Sequence, residues 1–256
     1  MKQYKGYLID LDGTMYRGEE RIEAASHFVR ALHERNIPYL FVTNNSSRRP
    51  EQVAEKLMQF DIQATPEQVF TTSIATANYI YEQQQDARVY VIGEEGLHHA
   101  LTEKGFDLTE ANPTHVVMGI DRDITYEKLA RACLAVRNGA TFLSTNADIA
   151  IPTERGLLPG NGSLTSVITV STLVQPTFIG KPESIIMEQA LKVLGTTKED
   201  TLMVGDNYDT DILAGMNAGM DTLLVHTGVT TVETLTGYNV QPTHVVHSLE
   251  EWIPSM

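Results

Sequence analysis

The chain has 256 residues, 42% hydrophobic and 20% charged, enough for one large core or two modest ones. Acidic residues outnumber basic ones 33 to 19, and a formal charge of -14 argues against nucleic acid or an anionic membrane as a partner held by bulk electrostatics. One cysteine excludes a disulfide framework within the chain, and no apolar run reaches the roughly 18 residues of a membrane helix; the first residues lead into a strand pattern without a signal-peptide pattern, so the cytoplasm is the expected address.

The first predicted strand is the apolar run Tyr7, Leu8, Ile9, which ends in the carboxylate of Asp10. Runs at 39–43, 89–92, 116–118, 142–143, 201–204, 222–225 and 245–246 follow, alternating with amphipathic stretches that suit covering helices. Alternation of this kind predicts βαβ units and an α/β fold with an open, Rossmann-like parallel sheet, where ligands bind outside the carboxyl ends of the strands. Cys133 lies at helical spacing with Leu129, Ala130, Ala132 and Val136, which reads as a buried packing residue. The pentapeptide Pro-Thr-His-Val-Val occurs at 113–117 and again at 242–246, each time where a strand is expected, with no longer repeat around it. The stretch 146–162, with Pro152, Gly156, Pro159, Gly160 and Gly162, breaks the rhythm and reads as a long loop.

Four segments at predicted strand ends carry chemistry. Asp10-Leu11-Asp12-Gly13-Thr14 sets two carboxylates two residues apart before a glycine. One carboxylate can attack phosphorus and the other can move protons, although Asp and Gly also suit an ordinary turn. Thr43-Asn44-Asn45-Ser46-Ser47 offers hydroxyl and amide donors ahead of a helix starting near Pro50, which serves either phosphate oxygens or helix capping by Ser46 and Ser47. Lys181, after the run Phe178-Ile179, is either a fixed phosphate-holding ammonium or a solvated surface group. Asp206-Asn207-Tyr208-Asp209-Thr210-Asp211 closes another strand with oxygen ligands that suit a hard cation, or with a capped turn. His98-His99 and Arg48-Arg49 read as surface residues.

The order and spacing of these four segments resemble the haloacid dehalogenase superfamily of phosphatases, and specifically its NagD-like, 4-nitrophenyl phosphatase branch. The likeness extends through Met15-Tyr16-Arg17-Gly18, Thr145-Asn146-Ala147-Asp148 and Pro159-Gly160-Asn161-Gly162-Ser163-Leu164. It implies a core formed by 1–72 and 176–256 with an inserted α/β cap domain at 73–175. It implies Asp10 as nucleophile and Mg²⁺ ligand, Asp12 as general acid/base giving its backbone carbonyl to the metal, and Asp206 as the third protein ligand. Asp211 would support the metal's waters, Thr43, Asn44 and Lys181 would grip the phosphoryl group, and Asn45 would position substrate. The activity expected is Mg²⁺-dependent hydrolysis of small phosphomonoesters such as sugar phosphates, nucleotides and aryl phosphates through an aspartyl phosphate. Phosphoryl transfer to another acceptor and a phosphorylatable signalling module are the alternatives. The expected partner is a small phosphorylated metabolite, with a homodimer through the cap as an open alternative to a monomer. Ile151 before Pro152 stands where related animal pyridoxal phosphatases carry a cap histidine, which argues against that substrate.

Overall fold

The computed structural model describes residues 2–153 and 155–256. Along the chain run β1 (Gly6–Ile9), β2 (Tyr16–Arg17), β3 (Glu20–Arg21), α1 (Glu23–Glu34), β4 (Tyr39–Thr43), α2 (Pro50–Gln59), β5 (Val69–Thr71), α3 (Thr72–Gln83), β6 (Arg88–Ile92), α4 (Glu95–Glu103), β7 (Asp107–Leu108), β8 (His115–Met118), α5 (Tyr126–Arg137) and β9 (Thr141–Ser144). There follow β10 (Ala150–Thr153), β11 (Gly156–Pro159), α6 (Asn161–Thr172), β12 (Thr177–Phe178), α7 (Ser184–Leu194), β13 (Thr201–Gly205), α8 (Leu213–Asn217), β14 (Asp221–Val225), α9 (Val232–Leu235) and β15 (His244–Val246).

The chain divides into two compact units, one of Met1–Thr43, Pro50–Phe70 and Lys181–Met256, the other of Asn44–Arg49 and Thr71–Gly180. The second unit is a little wider than the 73–175 expected and includes 44–49. Side chains explain the addition: Thr72 Oγ1 donates to the Asn44 carbonyl at 3.0 Å and Ser73 Oγ to the Ser46 carbonyl at 3.0 Å.

In the first unit six strands form a sheet in the order β15-β14-β13-β1-β4-β5. β1 is parallel to both β13 and β4, and β14 is parallel to both β13 and β15. Every residue of β1, β4 and β13 is buried, which is why these strands read as continuous apolar runs and not as alternating ones. Helix α1 covers the sheet with Ala25, Phe28, Val29 and Leu32, one stripe at helical spacing. From β1 the chain passes to β4 on one side and later to β13 on the other. The switch point therefore lies at the tip of β1, where a parallel sheet opens a crevice.

The second unit is a five-stranded sheet, β12-β9-β8-β6-β7, with each paired strand parallel to its neighbour. Cys133 is buried on α5 with Ala132 and Val136, as its spacing predicts. The two pentapeptide copies run into β8 and β15, one in each sheet. The stretch 146–162 is not one long loop: it holds the antiparallel pair β10 and β11 and the first turn of α6. Pro152 and Pro159 disguise it. A two-stranded ribbon leaves outward-facing N–H groups unbonded and tolerates proline where a central strand would not.

Candidate active site

Register assembles the site. Ile9 pairs with Val204 of β13 and Phe41 of β4, so the next residue, Asp10, emerges between the tips of both strands. Gly205 and Asp206 follow on one side, Val42 and Thr43 on the other. Asp10, Thr43, Lys181, Asp206 and Asp211 are all buried in the first unit.

Lys181, only 2% exposed, donates from Nζ to Asp10 Oδ1, to Asp211 Oδ1 at 2.7 Å and to the Val42 carbonyl at 3.1 Å. It is thus no solvated surface lysine. Asp211 sits in a single π-helical turn, Tyr208–Ile212, with Oδ2 accepting the Asn207 N–H at 3.1 Å. Asp206 Oδ1 accepts from the Thr14 hydroxyl at 3.1 Å, and that hydroxyl also lies 3.4 Å from Asp10 Oδ2.

The electrostatics follow from three carboxylates facing one ammonium. Burial first, then the Asp211 charge, holds the Asp10 carboxyl well above the usual carboxylate range, against the attraction of Lys181. Burial and Asp211 likewise push Asp206 up to about 6, although hydrogen bonds from Val229 N–H and Thr14 favour its charged form. For Lys181, burial disfavours the ammonium, but Asp10 and Asp211 together outweigh it and the net shift is upward. With all three carboxylates ionised the cluster would carry a surplus of negative charge, and a divalent cation would offset it.

One carboxylate oxygen from each of Asp10, Asp206 and Asp211 lies within 4.8 Å of the others. An all-oxygen donor set suits a hard divalent cation. Two glycines make room for the Asp206 carboxylate. Gly13 has φ +94°, and a Cβ there would run into the Asp206 carboxylate; a Cβ at Gly228 would meet the same group from another side. The residues present thus fit a cation.

Asp12, unlike Asp10, is exposed, with Oδ1 accepting a long 3.4 Å bond from Gly18 N–H. Its side chain is not among the clustered carboxylates; a solvent-facing group suits proton traffic. Asn44 and Asn45 belong to the second unit. There Asn44 Nδ2 donates to Asp148 Oδ1 at 3.1 Å, and the Asn44 carbonyl accepts from Asn146 Nδ2 at 2.8 Å. Asn45 Oδ1 accepts from Ser47 N at 2.9 Å and Arg48 N at 3.0 Å, so Asn45 caps this turn.

Sequence reasoning missed Thr14 and the segment 227–230. Val229 N–H donates to Asp206 Oδ2 at 2.7 Å, and Thr230 N–H to the Asp206 carbonyl at 3.0 Å. The available signal was position: a Thr-Gly pair directly beyond β14, the strand beside β13, at the carboxyl edge of the sheet.

A family profile described as haloacid dehalogenase-like hydrolase matches residues 7–107, and a second, HAD-hydrolase-like, matches residues 178–252. The chain is 70% identical over 254 residues to 5'-nucleotidase YutF of Bacillus subtilis (strain 168), covering 99% of both chains. It is 56% identical over 257 residues to the acid sugar phosphatase of Staphylococcus aureus (strain USA300), covering 100% of this chain and 99% of that one. Among solved structures, a mutant of the thermostable p-nitrophenylphosphatase from Bacillus stearothermophilus superposes with a TM-score of 0.91 at 66% identity, covering 98% of this chain and 99% of that one. Among the described residues, no helix is long and apolar enough to cross a membrane.

Proposed function

The chain belongs to the haloacid dehalogenase-like hydrolase family and is a phosphomonoester hydrolase of its NagD-like branch, and from that premise we propose that it cleaves small phosphomonoesters through a phosphoaspartate on Asp10, with Mg²⁺ as the cation. The observation that carries this reading is the convergence of Asp10, Asp206, Asp211 and Lys181 in one buried cluster at the tip of β1.

Asp10 attacks phosphorus through a carboxylate oxygen, and the leaving oxygen departs with a proton supplied by Asp12. Asp12, now ionised, takes a proton from water as that water attacks the acyl phosphate, which frees Asp10 and releases phosphate. Lys181 holds the charge of the phosphoryl group and of Asp10 together, and Thr43 at the tip of β4 lends a hydroxyl to a phosphoryl oxygen. Asp10, Asp206 and the backbone carbonyl of Asp12 would hold Mg²⁺, with Asp211 supporting its waters. When bound, the ion supplies charge neutralisation for a dianion that Asp10 would otherwise repel. The substrate class is small phosphorylated metabolites. Nucleoside monophosphates, sugar phosphates and aryl phosphates are the first to try, since the relatives are named for a 5'-nucleotidase, an acid sugar phosphatase and a p-nitrophenylphosphatase.

The test is release of inorganic phosphate from these three classes, with Mg²⁺ or with EDTA, by wild type and Asp10→Asn. Turnover that requires both metal and Asp10 supports the reading. Turnover by Asp10→Asn at the wild-type rate would falsify the nucleophile assignment.

A further inference from the structure

The segment 227–230 touches the cluster at more places than a passing loop needs. Val229 N–H holds Asp206 Oδ2 at 2.7 Å, and Thr230 N–H holds the Asp206 carbonyl at 3.0 Å. The Thr230 side chain, 5% exposed, accepts the Tyr208 N–H at 2.8 Å, fixing the first residue of the turn that carries Asp211. The Thr230 carbonyl accepts from His226 Nδ1 at 2.9 Å. At the other end Thr227 Oγ1 donates to the Gly13 carbonyl at 2.6 Å, and Arg17 Nε donates to the Thr227 carbonyl. Gly228 between them lies so close to Asp206 that a side chain cannot be fitted. One short segment thus ties the turn after Asp10 to the acidic loop after β13.

We infer that residues 227–230 act as a strap that sets which oxygen of Asp206 faces the cluster, with Thr230 as a positioning residue for cation binding. The argument is one of carboxylate geometry. With Oδ2 engaged by a backbone N–H at 2.7 Å, rotation about the Cβ–Cγ bond would break a part-buried hydrogen bond, and Oδ1 stays turned toward the Thr14 hydroxyl, which also reaches Asp10. The Thr14 hydroxyl carries one proton and has two acceptors, so it can turn to Asp10 Oδ2 when a cation takes Asp206 Oδ1. The strap holds its N–H in place only while Thr230 is anchored on Tyr208 and Thr227 on Gly13. Partners of this kind behind a metal ligand typically matter by about 10- to 100-fold in metal affinity.

The inference rests on Asp206 as a cation ligand, and the experiment separates the two. Apo wild type, Thr230→Val, Thr230→Ser and Asp206→Asn are titrated calorimetrically with Mg²⁺ alone, and kcat and the Mg²⁺ concentration for half-maximal turnover are measured in parallel. Thr230→Val keeps shape but loses the acceptor for Tyr208 N–H; it is expected to bind Mg²⁺ about 10- to 100-fold more weakly, with kcat at saturating Mg²⁺ much less affected. Thr230→Ser is expected to return affinity to within about threefold of wild type, since it keeps the hydroxyl. Thr227→Val, at a half-buried position, is the second variant should Thr230→Val not fold, and is expected to shift affinity the same way by a smaller factor. Wild-type Mg²⁺ affinity in a folded Thr230→Val or, failing that, Thr227→Val, while Asp206→Asn binds no Mg²⁺, overturns the strap alone. Wild-type affinity in Asp206→Asn overturns the ligand reading and the strap with it.

Discussion

The Lys181 ammonium and the Asp211 carboxylate lie 2.7 Å apart, each only 2–3% exposed at the side chain, and Asp10 shares the same ammonium. Replacing Lys181 with Met would leave two buried carboxylates facing each other. Breaking a buried pair in this way typically costs about 3–5 kcal/mol. We expect Lys181→Met to lose stability on that scale in urea denaturation of the metal-free protein, and to recover part of it on adding Mg²⁺. Unchanged stability would mean that Asp10 and Asp211 take up protons at little cost.

Asp12 is exposed and stands outside the buried trio. Asp12→Asn keeps the backbone carbonyl and should fold normally. Its turnover is expected to fall by about 10²- to 10⁴-fold, the usual worth of a positioned acid/base, while calorimetric Mg²⁺ affinity stays near wild type. A comparable loss of Mg²⁺ affinity would move the Asp12 side chain from proton transfer to metal binding.

Gly13 and Gly18 both have positive φ, +94° and +56°, but only at Gly13 would a Cβ collide with Asp206; at Gly18 nothing lies within 4 Å. Gly18→Ala should cost only the backbone strain, about 1–2 kcal/mol, and leave Mg²⁺ dependence unchanged. Gly13→Ala should cost more and raise the Mg²⁺ concentration for half-maximal activity. Equal effects on metal dependence would remove the steric argument for the cation cradle.

His115 on β8 is buried, with Nδ1 2.9 Å from Thr114 Oγ1, and burial holds its pKa below the ordinary histidine value of 6.5. A group depressed in the folded state contributes stability above its unfolded pKa and loses it as pH falls, because the unfolded chain then binds more protons. Measured by urea denaturation, wild type should therefore lose stability relative to His115→Gln as pH falls below 6.5, by at most about 1.4 kcal/mol per pH unit. An equally steep slope in the variant would assign the effect to other groups.

How much of this was legible in the sequence depended on where the information sat. The buried strands β1, β4 and β13 announced themselves as unbroken apolar runs, and each ended in the polar residues that the sheet brings to one edge. Lys181 was different. Its place after Phe178-Ile179 singled it out, but nothing in Gly-Lys-Pro distinguishes a buried ammonium from a surface one, and only family resemblance chose between the two. The strap was illegible because its contacts to Asp206 are backbone N–H groups, which every residue but proline has. Asn44 and Asp148 lie far apart in sequence, so their hydrogen bond left no local pattern, and β10 and β11 hid behind their prolines.

The strand order of the first sheet also bears on how the chain is made. β1 finds one neighbour, β4, almost at once, but its other neighbour, β13, leaves the ribosome only after most of the polypeptide has been synthesised. Until then β1 has an open edge of unpaired N–H and C=O groups, and Asp10 has neither Lys181 nor Asp206 beside it. A nascent chain cut short before residue 181 would lack that ammonium and two of the three clustered carboxylates. Under the proposed mechanism, chemistry at Asp10 would thereby be reserved for chains whose carboxyl-terminal part has arrived, and the interval before β13 docks is when β1 is most exposed to pairing with the wrong strand.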